Sequence, residues 1–322
     1  MIGHRTRLCV PRIGLVPRIV ALAYVAMLLT CVGCGGKGRD AGDARIAGDS
    51  LRQAILPALD GAVLRDSMRV DVDGDGRAEL VVASRADDGD DDPLLADRFD
   101  RIDIYTQGRD GFRRLFVDAV DYGAALDSAD VTGDGVSDLL IRLDAGGNNP
   151  IATQGLHIYG RDTRGAVALL FYSASGAPAL RDLDGDGRQE VLVSDQYWGM
   201  MAHSEVIGYT RAVYAFAGDS YEHANTRFTS WFDTMLKSRR RTYEQARRGA
   251  DSEEGRTRLY LQAAEYLVWH LARGGVTHLR SVWNAERGFL RQHLHDEQYD
   301  DLETFVDEAT AEDQVRERQG IS

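Results

Sequence analysis

Through the middle of the chain the apolar residues come in short runs, not at helical spacing. Leu80-Val81-Val82, Leu139-Leu140-Ile141 and Val191-Leu192-Val193 are aliphatic runs bounded by Asp and Gly, the pattern of buried strands. A second set aligns behind them: Ile102-Asp103-Ile104-Tyr105, Leu156-His157-Ile158-Tyr159 and Arg211-Ala212-Val213-Tyr214. Each is followed by a turn signal (108–111, 161–165 and 218–220) and then by a stretch that again reads as strand. One unit is therefore strand, loop, strand, connection and hairpin, which makes four strands.

From about Thr226 the period changes. Phe228, Trp231, Phe232, Met235 and Leu236 fall at i, i+3, i+4, i+7 and i+8, the stripe of an amphipathic helix. Leu259, Ala263, Tyr266, Leu267 and His270 predict a second helix. Leu279, Trp283, Phe289, Leu290 and Leu294 predict a third, and Leu302, Phe305 and Val306 a fourth, with Gly274-Gly275 breaking the second from the third. The predicted fold is mainly β over residues 51–225, followed by a helical module over 226–322.

Ahead of each first apolar run stands the same nine-residue stretch. Loop 1 is Asp71-Val72-Asp73-Gly74-Asp75-Gly76-Arg77-Ala78-Glu79, loop 2 is Asp130-Val131-Thr132-Gly133-Asp134-Gly135-Val136-Ser137-Asp138, and loop 3 is Asp182-Leu183-Asp184-Gly185-Asp186-Gly187-Arg188-Gln189-Glu190. Oxygen-bearing side chains recur at positions 1, 3, 5 and 9, and glycines at 4 and 6. Calcium takes six to eight hard oxygens at roughly 2.3–2.6 Å, which alternate residues of a tight loop can supply. The glycines allow backbone conformations that a Cβ forbids. Position 7, filled by Arg77, Val136 and Arg188, needs only its main-chain carbonyl. One Asp-Gly stretch would be an ordinary turn; three in one pattern argue for a ligand set. Loop 2 is the weakest because Thr132 offers a neutral hydroxyl. An EF-hand carries a bidentate Glu at position 12 entering a helix, whereas Val82, Ile141 and Val193 stand there inside strand patterns. The loops therefore read as calcium loops between strands.

The loops begin at residues 71, 130 and 182, a spacing of roughly 50–60 residues that fits multi-strand repeats such as propeller blades. Together with the aligned second strands, this stretch (about residues 60–225) resembles the FG-GAP and VCBS repeats of integrin α-subunit propellers and many bacterial surface proteins. The resemblance implies blade-like four-stranded calcium repeats in which the ion stiffens the blade while ligands bind elsewhere. Closed propellers have about four to eight blades, so three units predict a partial or atypical propeller with exposed strand edges. The helices can close the open side by burying Trp231, Phe232, Trp269 and Trp283 there; alternatively, copies of the chain associate edge to edge.

Residues 1–18 carry four arginines and no acid, and residues 19–33 are uncharged and mostly apolar. A core this short fits an export signal better than a membrane span. It ends at Gly33-Cys34, which resembles a bacterial lipoprotein signal: cleavage after residue 33 leaves Cys34 to carry lipid, with Cys31 the poorer register and an uncleaved anchor the alternative. Residues 34–50, rich in Gly, Asp and Ala, read as a tether. The stretch Gly33-Cys34-Gly35-Gly36-Lys37-Gly38 matches G-x-G-x-x-G but lacks the strand and helix that give that pattern meaning. All three cysteines lie before residue 35, so the exported domain has no disulfide. The expected location is the bacterial envelope, on an outer-membrane or periplasmic face.

A formal charge of −13, from 51 acidic and 38 basic residues, argues against nucleic acid as a partner. The basic run Lys237, Arg239, Arg240, Arg241, Arg247 and Arg248 reads as a solvated face or as docking onto the acidic units. The acidic run 87–92 reads as a solvated loop, and the aromatic, Met-rich stretch 197–203 as packing over a unit, with a binding surface as its alternative. No G-x-S-x-G, H-E-x-x-H or P-loop is present, and His293 and His295 are two apart. The expected role is binding or scaffolding of a protein or glycan ligand. The alternative is a surface hydrolase acting on polysaccharide or lipid, with its site between the β-units and the helices. Another possibility is a subunit whose units complete a partner's propeller.

Overall fold

A computed structural model describes residues 61–86, 97–109, 111–196, 200–201, 205–206 and 209–319, all within a compact unit that runs from Ala44 to Ser322. The expected export signal, Cys34, the expected tether, the acidic run 87–92 and most of the stretch 197–203 lie outside the described residues.

The first sheet is an antiparallel meander of seven strands: β1 (Val63–Val70), β2 (Glu79–Arg85), β3 (Phe99–Gly108), β4 (Gly111–Ala129), β5 (Asp138–Asp144), β6 (Gln154–Arg161) and β7 (Val167–Ser173). A short helix, α1 (Pro150–Thr153), precedes β6 and is capped by the Asn149 side chain on the Ile151 N–H. A second sheet has the order β13-β12-β9-β8, formed by β8 (Ala179–Arg181), β9 (Glu190–Gln196), β12 (Tyr209–Phe216) and β13 (Tyr221–His223). Between β9 and β12, the two-residue strands β10 (Met200–Met201) and β11 (Glu205–Val206) pair with each other.

Strand β4 belongs to two units. Its first half pairs with β3 and its second half with β5. The bend falls at Tyr122, which has φ 58°, and Gly123, where the Phe99 ring fills the space a side chain would need. The chain thus forms three four-strand units, and their registers coincide. Val70 faces Glu79, Ala129 faces Asp138 and Arg181 faces Glu190 across the loops. One strand further on, Leu80 faces Tyr105, Leu139 faces Tyr159 and Val191 faces Tyr214.

Period-two alternation explains how the units stack. Val81 and Ala83 of the first unit share a core with Leu139, Ile141 and Tyr159 of the second. Leu140 and Ile158, on the second unit's other face, share a core with Val191 of the third. Leu192 and Val213, on the third unit's far face, meet helical residues instead. Position 2 of each loop plugs the same series of cores. Val72 enters the first and Val131 the second, both fully buried, and Leu183 packs against the third.

The helices are α2 (Thr229–Arg248), α3 (Glu253–His293) and α4 (Asp296–Gln319). Ser252 caps α3 on the Gly255 N–H, with Glu253 and Glu254 in its first turn facing the positive end of the helix dipole. The two helices expected on either side of Gly274-Gly275 are both present as the halves of α3, divided by a kink where the backbone is non-helical, with Gly275 at φ 67°. Phe232, Leu236, Trp269 and Ala272 bury against the third unit and Trp231 packs at the margin of that cluster, so the helices cover the face where a further unit would stack. Trp283 does not join them. It packs against Tyr299 inside the helical core, with Leu259, Leu279, Leu290 and Leu302. The basic run on α2 is partly absorbed within the module, through Arg239 with Glu265 at 2.7 Å and Arg247 with Glu286 at 2.8 Å. Among the described residues no helix is long and apolar enough to cross a membrane.

Candidate metal centres

All three loops are wired alike. The position-1 carboxylate accepts the N–H groups of both glycines: Asp71 from Gly74 (2.8 Å) and Gly76 (3.0 Å), Asp130 from Gly133 (2.7 Å) and Gly135 (2.9 Å), Asp182 from Gly185 (2.6 Å) and Gly187 (3.1 Å). Those glycines have φ between 71° and 88°, a left-handed conformation that a Cβ penalises. The position-5 carboxylates Asp75, Asp134 and Asp186 each accept the N–H of position 7 (Arg77, Val136 and Arg188) at 2.8 Å. Position 9 reaches back across the loop to the N–H of position 2. Glu79 accepts from Val72 at 3.1 Å, Asp138 from Val131 at 2.8 Å and Glu190 from Leu183 at 2.8 Å.

This wiring holds the position-9 acid at the base of the loop, where it starts the next strand and is buried. Glu79, Asp138 and Glu190 are 1%, 3% and 2% exposed. Burial raises all three carboxyl groups above the ordinary carboxylate range, with Asp138 pushed up to about 6. At Glu79 the neighbouring charges of Asp73 and Asp71 add to the rise.

Beyond this shared frame the loops differ. Among the described residues, two groups of acidic side chains each bring one oxygen per residue within 4.8 Å of one another: Asp71 with Asp73 and Glu79, and Asp182 with Asp184 and Glu190. Each could hold a metal ion. In loop 1 the buried Glu79 Oε1 has no hydrogen-bond partner. An unpaired buried oxygen costs roughly 1–3 kcal/mol, and two carboxylates about 5 Å apart repel by roughly 3 kcal/mol at an effective dielectric near 20. A cation among these oxygens would remove both costs, so the residues fit a hard divalent ion.

Loop 2 is arranged differently. The Thr132 hydroxyl donates to Asp138 Oδ2 at 3.2 Å, and the Thr132 N–H donates to the same oxygen at 3.0 Å. Asp134 is paired with Arg161 at 2.8 Å. Burial opposes ionisation of Asp134, but the Arg161 hydrogen bond and the Val136 N–H outweigh it and lower its carboxyl. In loop 3, Arg227 Nη2 lies 2.7 Å from Asp184 and 3.6 Å from Asp186. Sequence reasoning missed both arginines, which lie 27 and 43 residues from the carboxylates they touch.

Other candidate groups fall elsewhere. His293 Nδ1 meets the Phe289 carbonyl at 2.9 Å, while His295 Nε2 meets Glu253 at 2.9 Å, so the two histidines serve separate contacts. A cavity of about 280 Å³ lies where the linker after β13 meets the Gly275 bend and α4, lined by His223, Thr226, Phe305, Glu308 and Asp313 among others. The sequence matches no known protein family and no characterised protein.

Proposed function

We propose that this chain is a calcium-binding, lipid-anchored protein of the bacterial envelope, acting as a binding or scaffolding module. Its three four-strand units are read as blade-like repeats of the FG-GAP and VCBS kind, stacked but unclosed, with the helical module on the last face. The observation that carries the ion assignment is the buried, unpartnered Glu79 Oε1 beside Asp71 and Asp73. Calcium is the ion of choice because the site offers only hard oxygens in a flexible loop. Loops 1 and 3 are the principal sites. Loop 2 brings fewer free carboxylates and is the weakest. The ion would be structural: it ties the loop base, where the next strand starts, to the loop tip. The membrane partner is reached through lipid on Cys34, and the further partner is a protein or glycan. Labelling with a radioactive fatty acid in a bacterial host, with and without Cys34→Ser, tests the anchor. Calcium titration of the exported domain tests the ions.

A second reading is favoured by one observation. The cavity between the third unit and the helices is lined by a histidine and two carboxylates, the place and residue types a surface hydrolase would use. Hydrolysis of a polysaccharide or ester-lipid panel that disappears in Glu308→Gln and Asp313→Asn would support it over a pure binding role.

A further inference from the structure

We propose that Arg227 is the resident countercation of loop 3, which a divalent ion must displace, so that ion uptake at this loop is linked to the joint with the helical module. The inference rests on the calcium reading of loop 3 and adds its regulation.

Arg227 approaches the two carboxylates at positions 3 and 5, with Nη2 2.7 Å from Asp184 and 3.6 Å from Asp186. Loop 2 shows the same device. There Arg161 lies 2.8 Å from the position-5 carboxylate of Asp134, in the loop whose position 3 has lost its acid. Loop 1 differs in degree: the Arg161 guanidinium packs against Gly74 and feels the charges of Asp71 and Asp73, but its ion pair is with Asp134, and Glu79 Oε1 stays unpartnered. A guanidinium and a divalent ion both draw on the negative charge of one small cluster. Each weakens the other's hold, by Coulomb repulsion at short range and by competition for the same oxygens.

The position of Arg227 in the chain turns this competition into a link. It lies in the linker between β13 and α2. The Arg227 N–H donates to the Ala224 carbonyl at 2.9 Å, the Phe228 N–H donates to the Asn225 carbonyl at 3.1 Å, and the Phe228 carbonyl accepts the first N–H groups of α2 from Trp231 and Phe232. Two residues before Arg227, the buried Asn225 accepts from the Val213 N–H at 2.7 Å and donates to the Ala272 carbonyl at 3.0 Å, joining the third unit to α3. The Arg227 side chain is therefore a strut from loop 3 to the segment that seats the helices. By linkage, if ion binding releases the strut, loosening the strut favours the ion by the same factor.

The pair is half exposed, at 48% and 35%. Its removal should then change loop 3 affinity about two- to fivefold, the range of exposed ion pairs. The test is calorimetric calcium titration of the exported domain in four forms: wild type, Arg227→Gln, Arg227→Lys and Asp184→Asn, with hydrogen exchange across residues 224–232. The heat component that vanishes in Asp184→Asn identifies loop 3. Arg227→Gln should tighten that component two- to fivefold and leave the loop 1 component unchanged, and Arg227→Lys, which keeps the charge, should stay near wild type. Calcium should speed exchange in 224–232 in the wild type but not in Asp184→Asn. Equal or weaker loop 3 binding in Arg227→Gln would overturn the proposal and make Arg227 a positioning residue for Asp184. If Asp184→Asn removes no component in any background, the calcium reading of loop 3 itself fails.

Discussion

The Val72 N–H donates to one carboxylate oxygen of Glu79 at 3.1 Å, and the second oxygen, equally buried, meets no protein donor. The same side chain thus fastens the loop and leaves an unmet charge at its base. Glu79→Gln separates the two roles, since the amide can still accept from Val72 but carries no charge. In chelator the substitution should raise stability by about 1 kcal/mol, because a buried charge without a counterion is lost. In saturating calcium it should lower stability, because an ion at one hundred times its dissociation constant contributes about 2.7 kcal/mol to the wild type. Thermal melts in EDTA and in calcium check the sign reversal. For a domain of this size the calcium-dependent difference in the wild type should be roughly 5–10 °C.

Asn225 bridges the third unit and α3 with both ends of its amide. Asn225→Ala leaves the Val213 N–H and the Ala272 carbonyl without partners in a buried setting. The expected cost is about 1–3 kcal/mol for each group that water cannot reach. Asn225→Asp should be no better, because a carboxylate cannot donate to Ala272. Urea melts of the three proteins measure this.

Removing the helices should be more damaging. Truncation after Ala224 uncovers Leu192, Val213 and Ala215, which now bury against Phe228, Phe232 and Trp269. The exposed face is apolar and ends in short edge strands, conditions that favour association. Light scattering should show aggregates, or a much lower melting temperature, for the truncated chain. A monomer with an unchanged melt would mean that the helices are an independent module.

One pH dependence follows from the helical core. His270 is 8% exposed and its Nδ1 lies 2.8 Å from His278 Nε2. Burial first, then the neighbouring His278 and Arg273, depress its pKa to about 4. In the unfolded chain it titrates near 6.5. The unfolded state therefore binds the proton first, and stability falls as pH drops from about 6.5 towards 4. The loss should be on the order of 3 kcal/mol. His270→Gln should flatten this part of the stability–pH curve.

Much of the β-region was legible because its determinants are local. Every shared loop hydrogen bond joins residues at most seven apart, from Asp71 to Gly74 and Gly76, or from Glu79 to Val72. Such wiring writes itself into a repeating sequence. The strands after the loops followed from the same repeat, and identical registers follow from identical loops. Arg161 and Arg227 were not legible, because nothing local ties an arginine to a carboxylate 27 or 43 residues away. Helical spacing showed which face of each helix is apolar but not what it would meet. Hence Trp269, before the kink at Gly274-Gly275, lies on the third unit while Trp283, beyond it, lies in the helical core. The break at Gly274-Gly275 was legible because it is local: two adjacent glycines favour the non-helical backbone found there, with Gly275 at φ 67°.

Calcium titration of residues 34–322 by calorimetry tests the central claim most directly. The account predicts at least two binding events at sub-millimolar to millimolar affinity, as in extracellular calcium modules. One should be lost in Asp73→Ala and another in Asp184→Ala, while Asp134→Ala affects only the weakest event or none. No heat of binding and no calcium uptake by equilibrium dialysis in the folded wild type would contradict it, and the three loops would then be acidic turns held by their own hydrogen bonds.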